Sequence, residues 1–443
     1  MRLSLVTVLS RPAVFGSLIP LITIVNAFVG MLLPQMMEPK VFGEFSLVVT
    51  LFNYGLIFDL GISQVIDRFI PTHIGNGRPE VAQQVGNKLL WLRLDVAILT
   101  FILSSTLLAV FSAVGKLPFG LSEGGLAVVA GLADMVALGP ACIYRARSDR
   151  RDYAILIAVL LSGLMFARPV GLLLAGPTGC FAALAVWYVG FAFAAHVRMP
   201  LKSAARPGFG EALMLIRAGI PFFATSFIWA FYVTGNRWIA SFLISPEHFG
   251  EFAFSANIFS LLVGGIGGFS AFYYPKIAQR IAGSASYAMS AVLRRDLCRL
   301  LGAVAIVIAL GIALAGFLIG IIYPRYVQGV STARIMLVAV PPMVLASWLM
   351  PLSLSSGNRP WIDGALIYPT ATLLLGLGMY GLYCWFGDDG AAWASAFSAL
   401  ALAAMQLLAL VAAKILRRDD AVIIFSVALM LSGTLGLLSV AAA

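Results

Sequence analysis

Charge is what this sequence has least of. Of its 443 residues, 11% are Asp, Glu, Lys or Arg and 61% are hydrophobic, where an ordinary soluble domain carries roughly a quarter charged. A water-soluble fold of this length has no way to hide so much apolar surface. A disordered chain needs the opposite balance. The apolar runs are long and continuous, not alternating, which excludes a barrel and leaves a helical polytopic membrane protein.

Cysteine and histidine are also scarce. Cys142, Cys180, Cys298 and Cys384 stand far apart, form no C-x-x-C and lie in or beside apolar segments. They read as small buried hydrophobes, with a disulfide between two of them left open. His73, His196 and His248 are scattered, so neither a metal centre nor a histidine-based catalytic site is expected. No G-x-x-x-x-G-K-[ST], H-E-x-x-H or D-x-D is present, which removes a P-loop, zincin or metal-nucleotide site. The expected outer loops are too short to hold the active site of a membrane polymerase or ligase, so no enzyme is expected. The net charge of +10 would suggest nucleic acid in a soluble chain. Here no basic stretch is interleaved with exposed aromatics, and nucleic acid is excluded as a partner.

What is present are spans. Runs of about 20 apolar residues fall at 13–34, 45–66, 89–114, 124–144, 153–175, 179–197, 219–243, 250–272, 298–322, 331–354, 361–384, 391–413 and 421–441. The first run is too long for a signal-peptide core and has no A-x-A site after it, so it reads as an uncleaved span. With the N-terminus placed inside, only Lys40, Lys116, Arg325 and Arg334 fall outside, and Arg168 and Arg237 fall within spans. All other Lys and Arg, from Arg2 and Arg11 to Arg417 and Arg418, collect on the inner side, as the positive-inside rule requires.

The chain repeats itself. PKVFGEFSLVVTLFNYGLIFDLGIS at Pro39–Ser63 aligns without gaps on PEHFGEFAFSANIFSLLVGGIGGFS at Pro246–Ser270, an offset of 207. The same offset carries span starts 89, 124 and 153 onto 296, 331 and 360. Spans 1–6 therefore correspond to spans 7–12, and six being even, both halves enter the membrane in one direction. The expected fold is all-α: two pseudo-twofold-related six-helix bundles around a central cavity, plus one extra C-terminal span. The expected organisation is an N-terminal lobe over 1–200, a cytoplasmic linker over 201–218, a C-terminal lobe over 219–414 and the extra span over 415–443.

Polar groups within spans are costly and are candidates for function. Asp134 lies about ten residues into span 4, roughly 15 Å deep. Asp59 lies about 14 residues into span 2, roughly 21 Å deep. Both are candidates for coupling or gating, through a proton or Na⁺, or for pairing with an arginine of a neighbouring span. Arg168, beside Pro169, suits a phosphate through its fork of donors or reaches the outer surface. Arg237 stands near the outer interface. Thr225, Trp229, Tyr232 and Asn236 share one face of span 7 and suit either a sugar chain or interhelical packing. Asn26 and Asn53 read as helix–helix glue or as cleft lining. Pro20, Pro221, Pro275, Pro341, Pro342 and Pro369 supply breaks of the kind moving spans tolerate.

The FGEF motif followed by LFNYGLIFDLGISQVIDR, and GIPFF with NRWIASFLISPEHFGEFAF around spans 7 and 8, resemble the polysaccharide transporter family. That family lies within the multidrug, oligosaccharidyl-lipid and polysaccharide flippase superfamily. The resemblance runs over essentially the whole chain. It implies O-antigen or exopolysaccharide flipping in a bacterial inner membrane, with two six-helix lobes around a cationic cavity. The implied cargo is an undecaprenyl-pyrophosphate-linked oligosaccharide, carried from the cytoplasmic to the outer leaflet. Membrane lipid and, in the assembly pathway, polymerase and chain-length proteins are the implied partners. Many members carry Asp-Arg at the end of span 7, where this chain has Asn236-Arg237, so any role of that acid is lost here. A cation-coupled drug or metabolite antiporter of the same superfamily is the alternative, with Asp134 or Asp59 as its cation site. A membrane enzyme of envelope glycan assembly is a further one.

Overall fold

The computed structural model describes residues 22, 25–198, 206–283, 286–355 and 363–442. Half of the expected first span, with Pro20, and part of the expected linker lie outside them. The described residues are helical throughout, with no strand among them. Nine of the described helices are long and apolar enough to cross a membrane. A bent pair, Pro324–Val338 and Val340–Met350, makes ten if taken as one span. Its 41° bend falls at Ala339, just before Pro341-Pro342, whose missing N–H groups suit the start of a helix.

Two helices are too long for one crossing. Arg151–Val197 has 47 residues and Ala365–Ala412 has 48, or about 70 Å each at 1.5 Å per residue, against about 30 Å of hydrocarbon. Each is a hairpin of two expected spans. The first turns at Ala175 and Gly176, the second at Gly387, with φ of 64° and 60° at the two glycines. Left-handed backbone of this kind suits glycine. The arms then close on small residues: a Cβ on Gly171 would overlap the Gly179 carbonyl, and one on Gly390 would overlap that of Leu382.

The chain divides into two compact units. One holds Leu47–Phe227 with the described residues before Met31; the other holds Met31–Ser46 and Ile228–Ala443. The expected lobes are therefore interleaved. The C-terminal end of span 1 and the start of span 2 pack within the second unit. The first part of span 7 packs within the first. The expected linker is also helical from Phe209, because Phe209–Leu243 runs as one helix. Leu215 joins a buried cluster with Ile62, Ile66, Leu89 and Ile143, and Lys88 Nζ bonds Glu211 Oε1 at 2.8 Å. The extra C-terminal span is a helix, Arg418–Ala441. It belongs to the core of the second unit through Ile424 and Ala428, packed with Leu297, Leu349 and Leu407. Its start is pinned by Asp420, which accepts from Ser290 Oγ at 2.5 Å and Arg294 NH1 at 2.8 Å.

The internal repeat appears in the backbone as two π-helical turns, Gly163–Ala167 and Asp363–Ile367. Each is followed by a residue and a proline, Arg168-Pro169 and Tyr368-Pro369. Proline clashes with the carbonyl four residues back, and the wider π turn accommodates that conflict. π-bulges recur at functional sites. These equivalent turns start 200 residues apart, at Gly163 and Asp363. The offset of 207 thus holds around spans 2 and 8 but shortens by spans 5 and 11.

The two FGEF motifs touch within the second unit. A Cβ on Gly43 would lie 2.8 Å from Phe249 Cδ1 and 3.2 Å from Gly250 Cα, and one on Gly250 would overlap the Pro39 carbonyl. Phe42 and Phe254 pack on Tyr326, whose hydroxyl donates to the Pro34 carbonyl at 3.2 Å. The glycine is therefore a packing requirement. Gly250→Ala is expected to cost about 1–3 kcal/mol through overpacking, read as a lower thermal unfolding midpoint in detergent. An unchanged midpoint would show that the crossing relaxes freely.

Candidate functional site

In the first unit, span 2 does not run through Asp59. Helix Pro39–Ile57 stops, and a second helix starts at Ile62. Leu60 and Gly61 between them have φ of 51° and 79°. The Asp59 carboxylate accepts the backbone N–H of Gly61 and of Ser63, each at 2.9 Å, and so serves the orphan donors of the second helix. The expectation of a carboxylate carried on a continuous helix is corrected: Asp-Leu-Gly is turn chemistry. Across from this break lies Gly219, where a Cβ would meet the Leu60 carbonyl. Phe58 meets Phe223 at a tilt and Phe227 edge-on, with centroids 5.6 and 5.1 Å away.

Asp59 pairs with Arg93, NH2 to Oδ2 at 3.5 Å. Arg93 NH1 also donates to Ser63 Oγ at 3.1 Å. Arg93 is 1% exposed and lies beside Gly139, whose missing side chain leaves room for it. By sequence it counted among the inner-side basic residues. The structure buries it, and its Nε and NH2 make no hydrogen bond among the described residues. Nothing in the local pattern WLRLDV distinguishes a buried arginine from one reaching the interface.

Asp134 is buried on span 4, and its Oδ1 also has no hydrogen-bond partner among the described residues. Arg93 packs against Gly139 of the same helix. The Tyr188 ring stacks on Phe52 at 6.0 Å. Arg168 follows the first π turn. Its Nε is buried without a partner among the described residues, and a Cβ on Gly30 would stand 3.4 Å from its NH2. Asn26 Nδ2 reaches the Leu161 carbonyl at 3.4 Å, tying span 1 to span 5. Asn53 is half-buried on span 2. The first unit thus carries a membrane-embedded series of Asp59, Arg93, Asp134, Tyr188 and Arg168.

In the second unit the span 7 residues are committed to protein. Tyr232 Oη lies 3.1 Å from Ser398 Oγ. Trp229 meets Tyr368 edge-on at 5.5 Å, and Gln406 Nε2 donates to Tyr368 Oη at 3.1 Å. Arg237 NH2 donates to the Ala256 carbonyl at 3.0 Å and to Ser260 Oγ at 2.9 Å. Asn236 is buried beside it, with Oδ1 unbonded among the described residues. Tyr368 occupies in the second half the place of Arg168 in the first. A further cavity in this unit, of about 230 Å³, is lined by His248, Glu251, Gln328, Phe386 and Asp388, among others. Among the described residues no group of three or more His, Cys, Asp or Glu is placed to hold a metal ion.

No protein-family model and no curated protein sequence matches the chain. Solved structures do. An inward-facing multidrug resistance MATE family transporter of the MOP superfamily is similar at a TM-score of 0.66 and 14% identity, over 94% of this chain and 95% of that one. A eukaryotic MATE transporter is similar at 0.63 and 12%, over 94% and 97%. The lipid II flippase MurJ, in an inward closed conformation, is similar at 0.58 and 12%, over 97% of both chains. This multi-pass membrane chain has the two-lobed, twelve-helix fold of MATE transporters and MurJ, with one further C-terminal helix.

Proposed function

We propose that this chain is a flippase. It moves an undecaprenyl-pyrophosphate-linked oligosaccharide from the cytoplasmic to the outer leaflet of a bacterial inner membrane, by alternating access. The observation that carries the reading is Arg168: a cation in the interior of the first unit, with Nε left unbonded among the described residues. A guanidinium with donors to spare suits a pyrophosphate, and the polyprenyl tail can stay in lipid while the headgroup crosses. The fold shared with a lipid II flippase supports it. Asn26 and Asn53 would line the path in the first unit. Trp229, Tyr232, Asn236 and Arg237 in the second would shape the wall that the glycan meets. Asp59 and Asp134 would couple or gate, with H⁺ or Na⁺ as the coupling ion.

Deletion of the gene tests this. Lipid-linked glycan should accumulate in the inner leaflet, and surface polysaccharide should fall. Unchanged polysaccharide and intermediates, with raised drug sensitivity, would overturn the reading. That outcome is the one expected from a cation-coupled drug or metabolite antiporter. The buried, hydrogen-bond-free Asp134 Oδ1 favours this second reading, since a lone membrane carboxylate suits a cation.

A further inference from the structure

We propose that Arg93 is the latch of the span 2 break, held by Asp59 and Ser63 in this conformation and released towards Asp134 in another. A buried arginine is expensive unless its donors are used. Here one donor bonds Ser63 Oγ, the ion pair from NH2 to Asp59 is a long 3.5 Å, and neither Nε nor NH2 makes a hydrogen bond among the described residues. Asp59 does not depend on Arg93 for its own satisfaction, because two backbone N–H groups already serve it at 2.9 Å. Asp134 has the complementary deficit. Its buried Oδ1 lacks a donor, and its helix, Leu121–Ala146, is the one whose Gly139 packs against Arg93. The interior thus holds one under-used cation between two carboxylates, an arrangement with two discrete pairings.

The pairing in place stiffens a particular joint. Arg93 bridges Asp59, in the break after Ile57, to Ser63, in the first turn of the helix that starts at Ile62. That joint is where Gly61 meets Gly219 of span 7 within the first unit. Letting go of Asp59 and Ser63 frees the joint from span 3. Movement of the guanidinium towards Asp134 gives that buried oxygen its missing donor. The latch builds on the transporter reading above, but its test needs no cargo. Failure of one therefore leaves the other standing.

Cys142 is a native reporter: its thiol is buried and lies 3.7 Å from Ser63 Oγ. With Cys180, Cys298 and Cys384 replaced by alanine, the rate of Cys142 modification by a small maleimide reads departure of the joint. Asp59→Asn and Arg93→Gln should each raise the rate about five-fold or more, and the double variant should rise no further, as for two partners of one interaction. Asp134→Asn removes the other pairing and should lower the rate about two-fold or more, but only while Arg93 is present. Arg93→Lys keeps the charge and should keep the sensitivity to Asp134→Asn, which serves if Arg93→Gln fails to accumulate. An equal effect of Asp134→Asn with and without the cation, or additive effects of Asp59→Asn and Arg93→Gln, would overturn the latch.

Discussion

Arg168→Ala lowers glycan export about 10- to 100-fold. A hydrogen bond to a charged group is worth about 1.5–3 kcal/mol, and every 1.4 kcal/mol is a factor of ten. The protein itself should persist. Arg168 makes no ion pair among the described residues, so its removal strands no buried acid there. Arg168→Lys keeps charge but not the planar fork, and should fall between. Surface polysaccharide, measured against protein abundance by immunoblot, checks all three. Normal export from Arg168→Ala would remove this residue from the substrate path.

The largest structural loss is expected at Gly61. Two costs meet there. A side chain at φ 79° enters the left-handed region, at roughly 1–2 kcal/mol. Its Cβ would also overlap the Gly219 carbonyl, and overpacking adds about 1–3 kcal/mol. Gly61→Val should therefore destabilise by about 2–5 kcal/mol and deplete the protein from the membrane. Gly77→Val and Gly115→Val, at φ of 71° and 68°, are the matched controls. Both glycines have positive φ but open space within 4 Å, so only the backbone cost applies. Equal depletion in all three would show that the span 7 crossing contributes nothing.

Much of this architecture was written in the pattern of apolar runs. They located the helices, including the C-terminal one, and the repeat located the paired halves. Three features were out of reach for a physical reason. Hydropathy sees composition, so it ran span 2 straight through Asp-Leu-Gly although those residues carry a turn. It scored Arg93 as a flanking charge, because burial depends on Gly139 of another helix and on Asp59 across a break. It also cannot show which partner a polar side chain takes. Arg237 and Arg168 look alike in sequence, yet one bonds a carbonyl and a serine of span 8, while the other keeps Nε unbonded after a π turn. The Arg-Pro and Tyr-Pro pairs were visible signs of the π turns, once the repeat offset was allowed to shorten.

The proposed activity is transbilayer movement of a lipid-linked pyrophosphate glycan. The direct measurement uses the purified protein in liposomes holding such a lipid with a fluorescent sugar, quenched from outside by a membrane-impermeant reductant. Movement between leaflets should make the inner pool accessible at a rate that depends on the protein and drops with Arg168→Ala. Liposomes in which that pool stays protected, while the same protein exchanges a cationic dye for protons, would contradict it.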